Sequence, residues 1–178
     1  MTNVVWITGL SGAGKSTLAA ELVGVLRHEG RCVVLLDGDE LREVFSLNIA
    51  DGGEYSREQR IELALRYSRL CGYLAEQGLI VVIATISMFA EVHSWNRAHL
   101  PGYLEVYIKV PTDELRRRDP KGIYQRFDAG EVNNVAGLDL KVDEPLAADL
   151  IIDHSESETV QQSVQRILRL LSLGNRDE

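Results

Sequence analysis

The segment Gly9-Leu10-Ser11-Gly12-Ala13-Gly14-Lys15-Ser16 follows directly on the apolar run Val4–Thr8. It matches G-x-x-x-x-G-K-[ST] in full. An apolar strand must precede such a loop and a helix must follow it, and both patterns are present. Gly9, Gly12 and Gly14 let the backbone curl so that several N–H groups point at one spot. The N-terminus of the following helix adds partial positive charge there. Lys15 is a compact cation for the β- and γ-phosphates of a nucleoside triphosphate, and the Ser16 hydroxyl is a ligand for Mg²⁺. Ser11, Ala13 and Thr17 complete the expected triphosphate contacts. The competing reading is a Gly-rich turn with a chance lysine, and the flanking strand and helix weigh against it. The motif says nothing about what receives the phosphate.

The rest of the chain alternates strand-length apolar runs with longer helical patterns. Strands are expected at Val4–Thr8, Cys32–Leu36, Leu79–Ile86, Tyr103–Val110 and Leu150–Asp153. Helices are expected at Ser16–Glu29, Arg57–Gln77 and Thr159–Leu173, the first two stopped by Gly30 and Gly78. Strands apolar almost throughout suit a parallel sheet covered on both faces. The expectation is an α/β P-loop NTPase fold: a central five-stranded parallel sheet flanked by helices, with right-handed crossovers. Residues 1–178 read as one domain. Pro120–Pro145 fits neither period, and a segment of that kind suggests a mobile lid, placed over about residues 118–140.

Composition narrows the function classes. A net charge of −8 over 178 residues argues against a general binder of nucleic-acid polymers or anionic membranes. The longest apolar run, LIVVIATI, is far short of the roughly 20 residues a bilayer span needs. Cys32 and Cys71 form no metal or disulfide pattern and read as buried reduced thiols. No signal peptide is evident, so a cytoplasmic location is expected.

Asp37-Gly38-Asp39 follows the second strand and sets two carboxylates at its C-terminal end, where open α/β sheets bind ligands. One suits Mg²⁺ through water, and the other suits accepting a proton from an attacking hydroxyl. An N-cap aspartate at a strand-to-helix turn is the plainer alternative for either. Arg42 follows Asp39 by three residues, on one helical face if a helix begins there.

WITGLSGAGKST, LDGDELR, YSREQRIE, QGLIVVIATIS, EVYIKVP, RDPKGIY, AGLD and DEP together make the chain resemble the adenylylsulfate kinases from Val5 to about Asp153. The resemblance implies transfer of the γ-phosphoryl of ATP to the ribose 3′-hydroxyl of adenosine 5′-phosphosulfate, with ATP and Mg²⁺ required. It implies Asp39 as base or Mg²⁺ partner. It implies Arg42 and Arg60 as contacts to the acceptor's charged groups, and Tyr55 as an aromatic stacked on its base. Arg118, Asp119 and Lys121 fall at the root of the ATP lid, with Lys121 near both nucleotides. Arg116 and Arg117 read as the solvated end of a helix. Family members are commonly homodimers, and Phe45, Leu47, Ile49 and Tyr73 offer an apolar patch for such a contact.

Departures from the family pattern cluster on the acceptor side. Leu63 replaces an asparagine in the long helix. Ile86-Ser87-Met88-Phe89-Ala90 replaces I-S-P-Y-R, and Val92-His93 replaces an Asp-Arg pair. Val135 replaces an aromatic that caps the acceptor base, next to Leu138 of the lid. Ala84–Arg97 as a whole is expected to line the acceptor pocket, with Arg97 keeping one cation. Base–aromatic stacking is worth about 1–3 kcal/mol per base, so losing one face handicaps a purine most. ISMF with DGDELRE also resembles the divergent branch of the family that phosphorylates cytidine diphosphoramidate. Both acceptors stand for the same reaction, a small nucleotide's hydroxyl attacking the γ-phosphorus. A non-catalytic ATP-binding module is the alternative from another class. It would be marked by loss of Lys15, Ser16 or Asp39, and all three are present.

Overall fold

A computed structural model describes residues 3–45, 56–154 and 158–173. Five strands form one sheet in the order β2-β3-β1-β4-β5, and every pairing is parallel. They are β1 (Val4–Thr8), β2 (Val33–Asp37), β3 (Ile80–Ala84), β4 (Tyr103–Lys109) and β5 (Leu150–Asp153). The helices are α1 (Lys15–His28), α2 (Gly38–Val44), α3 (Arg57–Glu76), α4 (Ala90–His99), α5 (Thr112–Arg118), α6 (Ile123–Asp128) and α7 (Val160–Leu173). The five expected strands and three expected helices are all present, within two residues at each end.

Alternation along the central strands divides the core. Val5 and Ile7 of β1, with Val82 and Ala84 of β3, face α1 and α7, where Leu22, Leu26 and Ile167 fill the layer. Val4 and Trp6, with Val81 and Ile83, face α3 and α4, where Tyr67, Cys71 and Val92 meet them. Successive side chains on a strand point to opposite faces, so an unbroken apolar run supplies both layers. Trp6 is fully buried. Truncating it to Ala should cost about 3–5 kcal/mol. Burial also pushes the Cys71 thiol up to about 12. Cys32, expected to be buried, is instead exposed at the entrance to β2.

Two further differences bear on function. Ala84–Arg97 is not one pocket-facing loop, because α4 starts at Ala90 and buries Val92 and Asn96. The stretch 120–145 holds the short helix α6 and an isolated bridge between Ala136 and Leu140. The C-terminal ends of β1, β2 and β3 lie side by side, with Asp37 in register with Ala84 and Ile7 with Ala84 across β1. That edge is where ligands bind in open parallel sheets.

Candidate active site

The phosphate loop leaves β1 at Gly9, whose φ is +152°. A Cβ there would lie 2.7 Å from the Ile108 carbonyl oxygen of β4. Only glycine lets the loop turn this close to a neighbouring strand. The loop closes on itself through Ala13 N–H donating to Leu10 O at 3.2 Å. Lys15 Nζ donates to the same carbonyl at 2.8 Å. Burial pushes the Lys15 ammonium down to about 8, and the nearby Lys121 and Arg42 act in the same direction against Asp37.

Asp37 and Asp39 divide the carboxylate work. Asp37 is the N-cap of α2, its Oδ1 accepting from Asp39 N–H at 2.8 Å. Its Oδ2 accepts from Ser16 Oγ at 2.6 Å. Asp39 instead pairs with Arg42 from its own helix and with Lys121 from the segment before α6. Ser16 and Asp39 were the expected metal-holding pair, but the carboxylate that the structure brings to Ser16 is Asp37's. The reason is local: capping α2 holds one Asp37 oxygen on Asp39 N–H and leaves the other to accept from Ser16.

A cavity of about 590 Å³ runs from the loop across this acidic corner. Ser11, Gly12, Gly14, Lys15, Ser16 and Thr17 line one end. Arg60, Leu63 and Tyr67 of α3 form another wall, at a spacing that sets all three on one helical face. Ile86, Ser87 and Phe89 come from the corner after β3, and Val135 from the segment after α6. Arg60 donates to the Asn134 carbonyl at 2.8 Å, tying two of these walls together. Tyr67 and Arg126 also line the cavity, and neither was singled out from sequence. The periodicity of α3 pointed to Tyr67, seven residues after Arg60, whereas α6 was hidden in an aperiodic stretch.

Other expected contacts lie elsewhere. Gly9 and Ala13 shape the loop without lining the cavity. Met88 is turned inward and buried, a consequence of Ser87 at φ +32°, which Thr85 Oγ1 steadies through a 2.8 Å contact with Ser87 Oγ. Leu138 packs against the α1-side core rather than lining the cavity. Arg118 is drawn to Glu114 Oε1 at 2.7 Å and to His154, away from the cavity lining. Arg97, expected as an acceptor cation, pairs with Asp149 at 2.9 Å and stacks over Tyr103. His93 is held by Glu105 at 2.6 Å. Tyr55, Leu47 and Ile49 lie outside the described residues.

Helix α6 and the segment that returns from it both rest on the phosphate loop. Tyr124 OH donates to Ser11 O at 3.0 Å. Asp139 caps a turn, accepting from Asn134 N–H at 2.8 Å and Val135 N–H at 2.7 Å. Gly137 in that turn has φ +83°, and a Cβ there would lie 2.8 Å from Leu10 Cδ1.

Oxygen donors at the loop fit Mg²⁺, which takes one or two protein oxygens and completes its shell with phosphate and water. Ser16 and Asp37 offer such a pair. Among the described residues, no group of three or more His, Cys, Asp or Glu side chains could hold a metal ion. Among the same residues, no helix is long and apolar enough to cross a membrane.

Comparison with known proteins gives a consistent pattern. A family model described as adenylylsulphate kinase matches residues 1–153. The chain is 38% identical to the cytidine diphosphoramidate kinase of Campylobacter jejuni, covering 96% of each chain. It is also 38% identical to the adenylyl-sulfate kinase of Pseudomonas aeruginosa, covering 94% of this chain and 84% of the other. Among solved structures, it is similar to the Mycobacterium tuberculosis APS kinase in complex with AMPPNP and APS. That match has a TM-score of 0.87 at 31% identity and covers 96% and 98% of the two chains.

Proposed function

The chain belongs to the adenylylsulphate kinase family, and we propose that it transfers the γ-phosphoryl of ATP to the ribose 3′-hydroxyl of a nucleotide, with cytidine diphosphoramidate as the acceptor its pocket favours. The observation that carries the acceptor choice is the convergence of Leu63, Phe89 and Val135 on one cavity beside Asp39. Val135 offers a base no aromatic face on the lid side. A purine would forgo stacking worth about 1–3 kcal/mol there, and a pyrimidine loses less. The corner after β3 brings a serine and an apolar wall, and its histidine is committed to Glu105. A phosphoramidate end group carries one negative charge, as a sulfate does, but its NH2 can donate a hydrogen bond to that serine, which a sulfate cannot.

In the transfer, the acceptor oxygen forms a bond to the γ-phosphorus as the bond from that phosphorus to the β-bridging oxygen breaks. The electron pair leaves on ADP. Asp39 takes the hydroxyl proton, and Arg42 and Lys121 keep its carboxylate in place. Lys15 and the loop N–H groups hold the transferring phosphoryl, where positioning and charge supply most of the catalysis. Ser16 and Asp37 would hold Mg²⁺, which when bound neutralises phosphate charge. Residues 118–140 act as the lid, and Lys121 reaches the acidic corner from it. We expect one kinase domain in a cytoplasmic homodimer. Phe45 and Tyr73, 48% and 64% exposed, are candidates for the contact, and sedimentation velocity would test it.

A second reading, adenosine 5′-phosphosulfate as acceptor, is favoured by the family model. ADP release with MgATP decides between them when both acceptors are offered at matched concentrations. Faster turnover of the cytidine compound supports the reading above. Faster turnover of adenylylsulfate overturns the acceptor and leaves the kinase. No stimulation by either overturns both.

A further inference from the structure

Arg57 stands at the first position of α3, one turn before Arg60 and outside the cavity lining. Its guanidinium joins three segments distant in sequence. It donates to Glu91 Oε1 at 2.8 Å and Oε2 at 3.0 Å, a bidentate pair with the first turn of α4. It donates to Asp143 Oδ2 at 2.8 Å, beyond the lid's return. It also lies over the Phe89 ring, 5.3 Å from its centre. Asp143 closes the arrangement from its own side. Its Oδ2 accepts from Ala90 N–H at 3.2 Å, and its N–H donates to Met88 O at 2.9 Å.

Phe89 is the N-cap residue of α4 and lacks a polar side chain to satisfy the exposed N–H groups of that helix. The Asp143 carboxylate caps Ala90 from 53 residues away. We propose that Arg57, with Asp143 and Glu91, is a positioning residue that fixes Phe89 as the acceptor-side wall and ties that wall to the lid's return.

The charges favour this role over direct acceptor binding. One guanidinium faces two carboxylates, so the cluster is negative overall and does not draw in an anionic group. Arg57 raises its own pKa through these contacts, and Glu91 and Asp143 are held below the usual carboxylate range. All three therefore remain charged over any pH at which a kinase is assayed. A fork-shaped guanidinium suits simultaneous binding of two carboxylates, which a lysine ammonium cannot reproduce in full.

The inference rests on the reading of this cavity as the acceptor pocket. The test uses the full chain with Arg57→Ala, Arg57→Lys and Asp143→Asn. Acceptor is varied at saturating MgATP, then MgATP at saturating acceptor, with whichever of the two candidate acceptors wild type turns over. Arg57→Ala should raise the acceptor KM about tenfold while the ATP KM stays within about twofold. Arg57→Lys should recover part of the loss. A parallel rise in both KM values, or no rise in either, overturns the proposal. If wild type turns over neither acceptor, the functional reading has failed, and hydrogen exchange tests the clamp alone. Amides of residues 88–92 should then exchange about tenfold faster in Arg57→Ala, with those of the phosphate loop unchanged. Equal protection in the two proteins overturns the clamp.

Discussion

The two ends of the cavity are built from different materials. The triphosphate end is mostly backbone: a run of consecutive residues whose N–H groups and left-handed turns make the cradle, with Lys15 and Ser16 added. The acceptor end is mostly side chains. Arg60 and Leu63 come from α3, Phe89 from the corner after β3, and Val135 from the segment after α6. A backbone cradle holds its shape under most substitutions except at the positions that must turn. A side-chain wall can be rebuilt one residue at a time. One scaffold can therefore keep its phosphoryl donor while its acceptor changes.

Four measurements test whether the two ends are separable. Removing the donor-side cation should have the largest effect. Lys15→Ala should lower kcat by at least about 10³-fold in an ADP-release assay, with an unchanged circular dichroism spectrum. Asp39→Asn, which removes the proposed proton acceptor, should lower kcat by about 10²-fold or more. Near-normal turnover would dismiss Asp39 as the base. The third is pH. A Lys15 pKa of about 8 means that its charge is present below that pH and lost above it. The kcat/KM for MgATP should therefore fall about fivefold between pH 8 and pH 9, as free-enzyme titration requires. Lys15→Arg, which cannot lose its charge, should flatten that limb. The smallest effect is on the acceptor wall. Val135→Phe should shift the ratio of kcat/KM values towards adenylylsulfate by about tenfold. A shift of the ATP KM instead would mean that the two ends are not separable.

The same difference of materials explains what the sequence revealed. The loop was legible because its glycines, lysine and serine are contiguous and framed by a strand and a helix. The strands were legible because double-sided burial demands unbroken apolar runs. Beyond local patterns, legibility failed for physical reasons. Asp37 and Asp39 looked equivalent until α2 took Asp37 as its cap and turned it to Ser16. Helix α4 was missed because Asp143, far along the chain, supplies its cap. Arg97 looked like an acceptor cation, yet it pairs with Asp149 and does not line the cavity. Met88 and Phe89 looked alike and both are buried, yet only Phe89 borders the cavity.

The approach of Gly137 to Leu10 also bears on how this chain can change over generations. Positions 10 and 137 are far apart in sequence, yet a side chain at 137 would displace the end of Leu10 and be strained at φ +83° besides. Any lineage exploring new acceptors is free to vary Val135 and Leu63 singly. At the glycine beside them a new side chain also meets Leu10 and a left-handed backbone, so that position is far less free. Specificity can drift on this scaffold, while the turn next to the varying wall rests on the phosphate loop itself.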